Sequence, residues 1–295
     1  MRTVFASTAC LLLLAGCGAA KRVVLQPAEV LHRSVVASNT LDSFSYALDA
    51  EFETAGTRDA AAMTGSLHLT GSLLRERTIA TGIGFVNVRF AGDENAGPVE
   101  LRIDGAYAMV PHQRPALRMD SISTVSGAVM VQHAAGERWI SLPIDDSPTP
   151  MESAASIDQP RIALQSSAMQ VTKDLGIEKF GGNDVYHYQV ALNMEALETM
   201  FGTGQDGAFR ETLQDRLKGE LWIDADSFLL RRAAWSLEGV ATPRGSANVH
   251  ADVSVFDQKK AVAKVTPPMA NRIEYPDDGI FATIFSGALL PFLSR

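Results

Sequence analysis

Cysteine is nearly absent from this 295-residue chain: Cys10 and Cys17 are the whole supply. Both fall near the start, so the remainder must fold without a disulfide staple. Positive charge is scarce as well. The formal net charge is −8 and no basic stripe with interleaved aromatics occurs, which argues against a nucleic-acid partner. No apolar run reaches the roughly 20 residues that a membrane-spanning helix needs.

Motifs for metal and catalytic chemistry are also lacking. His32, His68, His112, His133, His187 and His250 are scattered without H-x-x-x-H or H-E-x-x-H spacing. His68, His187 and His250 fall on predicted strands and read as sheet-surface residues. No G-x-S-x-G elbow is present. Gly202-Thr203-Gly204-Gln205-Asp206-Gly207 matches G-x-G-x-x-G in letters only. A dinucleotide fingerprint must leave a strand and open a helix in a βαβ unit, and this run follows a predicted helix. Asp224-x-Asp226 lacks the glycine and glutamate of a calcium loop and reads as a hairpin turn. An enzyme is not expected, and neither is a cofactor or a metal.

What is present begins at the start of the chain. Arg2 supplies a positive n-region, and Val4 to Leu14 forms an almost unbroken apolar h-region. Leu14-Ala15-Gly16-Cys17 follows and resembles the lipobox of bacterial lipoproteins, in which cleavage after Gly16 leaves a lipid-bearing Cys17. The alternative is a plain signal peptide cut after Ala19 or Ala20. The first reading also explains why the single mature cysteine is not left as a free thiol. It makes residues 1–16 an export signal, 17–26 a lipidated tether and the membrane a partner through the anchor. The protein is then expected in the cell envelope, on the extracytoplasmic side. Removal of the signal leaves about 280 residues, enough for one large domain or two small ones.

Pro27 can open a helix, and Val30, Leu31 and Val35 continue it at helical spacing over about 27–39. Period-two alternation then dominates. Phe44, Tyr46, Leu48 and Phe52 share one face of a strand, and the same pattern recurs at 66–70, 86–90, 99–103 and 185–192. Further strands are predicted over 219–224, 228–238 and 246–256. An insertion near 145–176 opens with loop chemistry at Asp145-Asp146-Ser147-Pro148-Thr149-Pro150 and reads as partly helical from about 151. Asn193 can cap a helix to about 201, and Phe209, Leu213 and Leu217 form a further helical stripe. These elements predict an α+β fold: a large antiparallel sheet with helices packed on one side. The apolar stretch 279–293 reads as a terminal helix, docked on the sheet's open side or touching a partner or membrane.

The order of these landmarks resembles the bacterial lipoprotein-carrier superfamily, which includes the LolA and LolB sorting factors and the LppX/LprG-type lipoproteins. Leu41-Asp42-Ser43-Phe44-Ser45-Tyr46 is similar to its entry into the first strand. Gly136-Glu137-Arg138-Trp139-Ile140 resembles its strand-borne tryptophan, and Asp184-Val185-Tyr186-His187-Tyr188-Gln189-Val190 its central strand. Gly219-Glu220-Leu221-Trp222-Ile223-Asp224 with Leu229-Leu230-Arg231-Arg232 resembles its hairpin, and Val265-Thr266-Pro267-Pro268 its closing strand. The resemblance implies a single domain over 27–295. It also implies an open half-barrel whose concave face is covered by helices, with an apolar cavity between. That cavity would hold a lipid or the acyl chains of a lipoprotein, without catalysis. Met109, Met119, Met130, Met169, Met194 and Met200 are candidates for an adaptable lining or for ordinary core. An envelope protein-interaction module with a closed core is the other reading.

Overall fold

The computed structural model describes residues 25–56, 62–74, 79–91, 98–109, 116–126, 129–134, 139–141, 169–193, 216–242, 245–263, 265–266, 268–269 and 273–274. Helix α1 (Pro27–Asn39) has Pro27 at its first position, where a missing N–H costs nothing. Glu29 sits in the first turn and pairs with Arg33 at 2.7 Å, one turn on. Val30, Leu31 and Ser34 make the buried stripe. The Thr40 hydroxyl closes the helix by donating to the Ala37 carbonyl at 2.7 Å.

Among the described residues the other long elements are strands. In chain order these are β1 (Ser43–Thr54), β2 (Met63–Leu74), β3 (Ile79–Phe90), β4 (Val99–Met109), β5 (Ala116–Ser126), β6 (Val129–Ala134) and β7 (Trp139–Ser141). They continue as β8 (Met169–Phe180), β9 (Asn183–Leu192), β10 (Leu217–Asp224), β11 (Leu230–Thr242), β12 (Gly245–Phe256) and β13 (Ile273–Glu274). All belong to one 13-stranded sheet of order β13-β7-β5-β4-β3-β2-β1-β12-β11-β10-β9-β8, with β6 beside β5. Pairing is antiparallel except between β13 and β7. Two meanders, β1 to β5 and β8 to β12, are joined where β1 pairs with β12. Among the described residues nothing pairs β8 back onto β13, so the sheet is open.

This corrects the expected α+β class with helices over one face. Among the described residues α1 is the one long helix, and it lies over one end of the sheet. Part of the error has a clear cause. Residues 169–176, read as the end of a helical insertion, are the first two-thirds of β8. β8 is an edge strand with register shifts at Val171/Lys173 and Asp174/Gly176, and most of its side chains are exposed. Bulges break period-two alternation, and edge positions such as Lys173, Asp174, Glu178 and Lys179 carry charge that deters foreign strands. The segments 142–168, 194–215 and 279–293, with their predicted helices, lie outside the described residues. Val265 and Thr266 form no closing strand. Val265 instead packs on a buried cluster of Ala106, Ala108, Ala116 and Trp139.

Directly paired residues of neighbouring strands project from the same face, so the register divides the sheet into two chemically distinct sides. One side carries the row Val253–Leu48–Leu69–Gly84–Gly105–Met119, and next to it Ala251–Ala50–Leu67–Val86–Ile103–Ile122. The other carries Asp252–Asp49–His68–Phe85–Asp104–Ser121.

Candidate functional site

The apolar side is the candidate site, and its two ends differ. Under α1, Val30 and Leu31 meet Met169, Tyr186, Tyr188, Val190, Leu221 and Ile223 in a sealed core. Tyr188 and Ile223 are 0% exposed there. Burial pushes the Tyr188 phenol above its ordinary value, with the Asp174 carboxylate adding to the shift. At the far end Leu101, Met119, Ile122 and Ile140 form a second buried cluster. Between them, on β12 and β1 to β3, Leu48, Phe52, Leu67, Leu69, Val86 and Val253 are only half-buried, and Val249 is 39% exposed.

Glycine shapes this middle region. Gly71 pairs with Gly82 and Gly84 with Gly105, all on the apolar side. Aromatic rings fill the missing side-chain space: Phe52 lies over Gly65, Tyr46 over Gly71 and Tyr107 over Gly82. Paired glycines leave the sheet free to bend, because no side chains hold the backbones apart.

The polar side is a lattice of ion pairs and ring contacts. His68 bonds Asp49 at 2.5 Å and stacks on Phe85 at 5.5 Å. The Arg102 guanidinium stands 4.0 Å from the Phe85 ring and holds the Asp104 carboxyl below the usual carboxylate range. Trp222 is enclosed by the His187 ring at 4.3 Å and the Arg232 guanidinium at 4.5 Å, and its Nε1 donates to Glu178 at 2.6 Å. His187 lies 3.3 Å from Glu178 and 3.1 Å from Glu220. Among the described residues no three His, Cys, Asp or Glu side chains converge as a metal site would require.

Cavities occur on both sides. A groove of about 670 Å³ is lined by Glu51, Thr64, Ser66, Asn87, Arg89 and His250 of the polar side and reaches Phe52, Leu237 and Val249 of the apolar side. A smaller cavity of about 430 Å³ lies between α1 and β8, against Pro27, Ala28, Leu31, Met169 and Val171. The apolar lining expected of a ligand site belongs to the smaller cavity, to the open middle of the apolar face and to the part of the larger groove that adjoins it.

The candidate residues fall in several places. Gly16 and Cys17 lie outside the described residues, as do Met194, Met200, His112 and the Gly202–Gly207 run. The side chains of Met109 and His133 are not among those described. Met119 and Met169 are buried at opposite ends of the apolar face, whereas Met130 is 68% exposed. They do not form one lining. His68, His187 and His250 do project from the polar face. Asp224 does serve a turn: its carboxylate accepts from the backbone N–H of Asp226 and Ser227, the Ser227 hydroxyl and Arg231. Burial works against its ionised form, but those hydrogen bonds outweigh it and lower its pKa. Trp139 is buried on β7 with Arg118 above its ring. Sequence reasoning missed the Trp222 stack and the Tyr46–Tyr107 row. Alternation along β10 does place Trp222 opposite Leu221 and Ile223, but its ring partners come from other strands.

The chain is similar in structure to the lipoprotein LppX of Mycobacterium tuberculosis. The two are 14% identical with a TM-score of 0.35, over 80% of this chain and 96% of that one. LprF from Mycobacterium bovis matches at 15% identity and a TM-score of 0.34, over 82% and 96%. A β-barrel-like protein of unknown function from Brucella abortus matches at 8% identity and 0.29, over 72% and 98%. No family model matches the chain, and no curated protein does.

Proposed function

We propose that this protein is an envelope lipoprotein, anchored through Cys17, that binds a hydrophobic ligand on the apolar face of its sheet and catalyses no reaction. The ligand class is a lipid or the acyl chains of another lipoprotein. One observation carries the reading. From β12 to β4 the rows on this face hold no charged residue, yet Leu48, Leu67, Leu69 and Val86 remain half-buried while both ends of the same face are sealed. Moving each CH2 of an acyl chain onto such a surface gains about 0.8 kcal/mol, so affinity grows with chain length. The interaction-module alternative requires a closed core, which the half-buried leucines do not provide.

The test is native mass spectrometry of a soluble form beginning at residue 18, produced in a bacterial host, with organic extraction. A co-purifying lipid is expected, and Leu48→Arg with Leu69→Glu should abolish it while circular dichroism stays unchanged. A clean apo mass with no uptake of added acyl lipids would overturn the proposal.

A further inference from the structure

Tyr46 on β1 and Tyr107 on β4 stand at the ends of one paired row, Tyr46–Gly71–Gly82–Tyr107. Neighbouring strands are spaced about 4.8 Å apart, so the tyrosine backbones begin roughly 14 Å from one another. That is close to twice the reach of a phenol. Both rings lie across the glycines between them, Tyr107 over Gly82 and Tyr46 over Gly71. Their hydroxyls end at the same place: a Cβ built on Gly71 would stand 2.5 Å from the Tyr46 Oη and 2.7 Å from the Tyr107 Oη.

The surroundings are apolar. Phe44 and Leu73 lie in the row on one side, Leu48 and Leu69 in the row on the other. At the inward positions of residues 44–52, 65–73, 80–88 and 101–107, these two hydroxyls are the only polar side-chain atoms. Among the described residues neither has a hydrogen-bond partner, and they do not bond each other. Burial raises the Tyr46 phenol pKa above its ordinary value, so it remains a protonated donor throughout the physiological range. Two phenol donors that converge over one glycine of an apolar surface can share a single acceptor oxygen.

We propose that Tyr46 and Tyr107 together donate to a single ester carbonyl of the bound molecule, so that the face selects acyl esters over hydrocarbons and ether lipids. This rests on the ligand-binding reading above and specifies its ligand. The glycines are part of the device, since any side chain at Gly71 would occupy the space where the hydroxyls meet.

The experiment compares uptake of a diacyl phosphatidylglycerol and its dialkyl ether counterpart, of equal chain length, by the delipidated protein. The ester is expected to bind about five- to tenfold more tightly, the size of one well-made neutral hydrogen-bond site. Tyr46→Phe with Tyr107→Phe keeps both rings over their glycines, and should lower ester affinity to the ether level while leaving ether affinity unchanged. The single Tyr107→Phe variant should lose part of the preference. Equal binding of both lipids by the unaltered protein, or a preference that survives in the double variant, would overturn this inference alone. Uptake of neither lipid would overturn the ligand-binding reading with it.

Discussion

The apolar face runs across both meanders, but it is finished as a core at its ends and not in its middle. Over β8 to β11, α1 presses Val30 and Leu31 onto Tyr188, Leu221 and Ile223, and the interior is closed to solvent. Over β12 and β1 to β3 the equivalent positions are Leu48, Leu67, Leu69, Val86 and Val253, and they are half-buried. The first region uses its apolar area to hold the fold together. The second keeps part of that area available, which is what a ligand-binding surface requires.

Substitutions can separate these roles, and the largest effect belongs to the sealed end. Ile223→Ala should cost about 2–5 kcal/mol, because a fully buried residue leaves a cavity. Leu69→Ala should cost no more than about 1 kcal/mol while weakening ligand uptake. Urea titration monitored by Trp fluorescence measures both, and equal costs at the two sites would erase the distinction. Next in size, Asp224→Asn should cost about 2–3 kcal/mol through weakened charge-assisted bonds at the β10–β11 turn. The lowered folded-state pKa of Asp224 means that its contribution is complete above the ordinary aspartate pKa. It is lost as pH falls through the folded value, so below the ordinary aspartate pKa the variant's stability should fall less steeply than the parent's.

A smaller effect is expected in the middle of the sheet. A Cβ on Gly84 would collide with the His68 backbone carbonyl, which cannot swing away as a side chain can. Gly84→Ala should therefore cost about 1–3 kcal/mol. At Gly65 the nearest obstacle is the Phe52 ring tip, and Gly65→Ala should cost less. Comparing the two melting temperatures tests whether backbone approach or ring packing limits the bend. The smallest effect is on the polar face. His68 and Asp49 are exposed there, so His68→Ala should change stability by less than about 1 kcal/mol and leave ligand uptake intact. Loss of uptake in that variant would move the binding site to the polar face.

Much of the fold was legible in the residues. The helix over 27–39 and the alternation at 44–52, 66–70, 86–90, 99–103, 185–192, 219–224 and 246–256 all correspond to elements of the structure. β5 escaped because a register shift at Asp104/Gly105 skips Asp120, so Leu117 and Met119 share a face with Ile122 and Thr124. Odd and even positions exchange roles part-way along the strand, and no single alternation survives. β8 was misread for the same reason, with edge exposure added. β7 and β13 are too short to show any period.

The candidate site was legible only in its chemistry. That Phe44, Tyr46, Leu48 and Phe52 share one face follows from period two alone, because successive side chains of a strand must point in opposite directions. Composition likewise argues against a disulfide framework, a membrane-spanning helix and a basic nucleic-acid surface. Which strands lie side by side is a different matter, since pairing joins residues far apart in the chain. Tyr46 reaches Tyr107 only because β2 and β3 place Gly71 and Gly82 between them, and β1 joins the two meanders only by pairing with β12. Local periodicity determined what each face is made of. Long-range strand pairing and the docking of α1 decided which part of the apolar face became core and which stayed open.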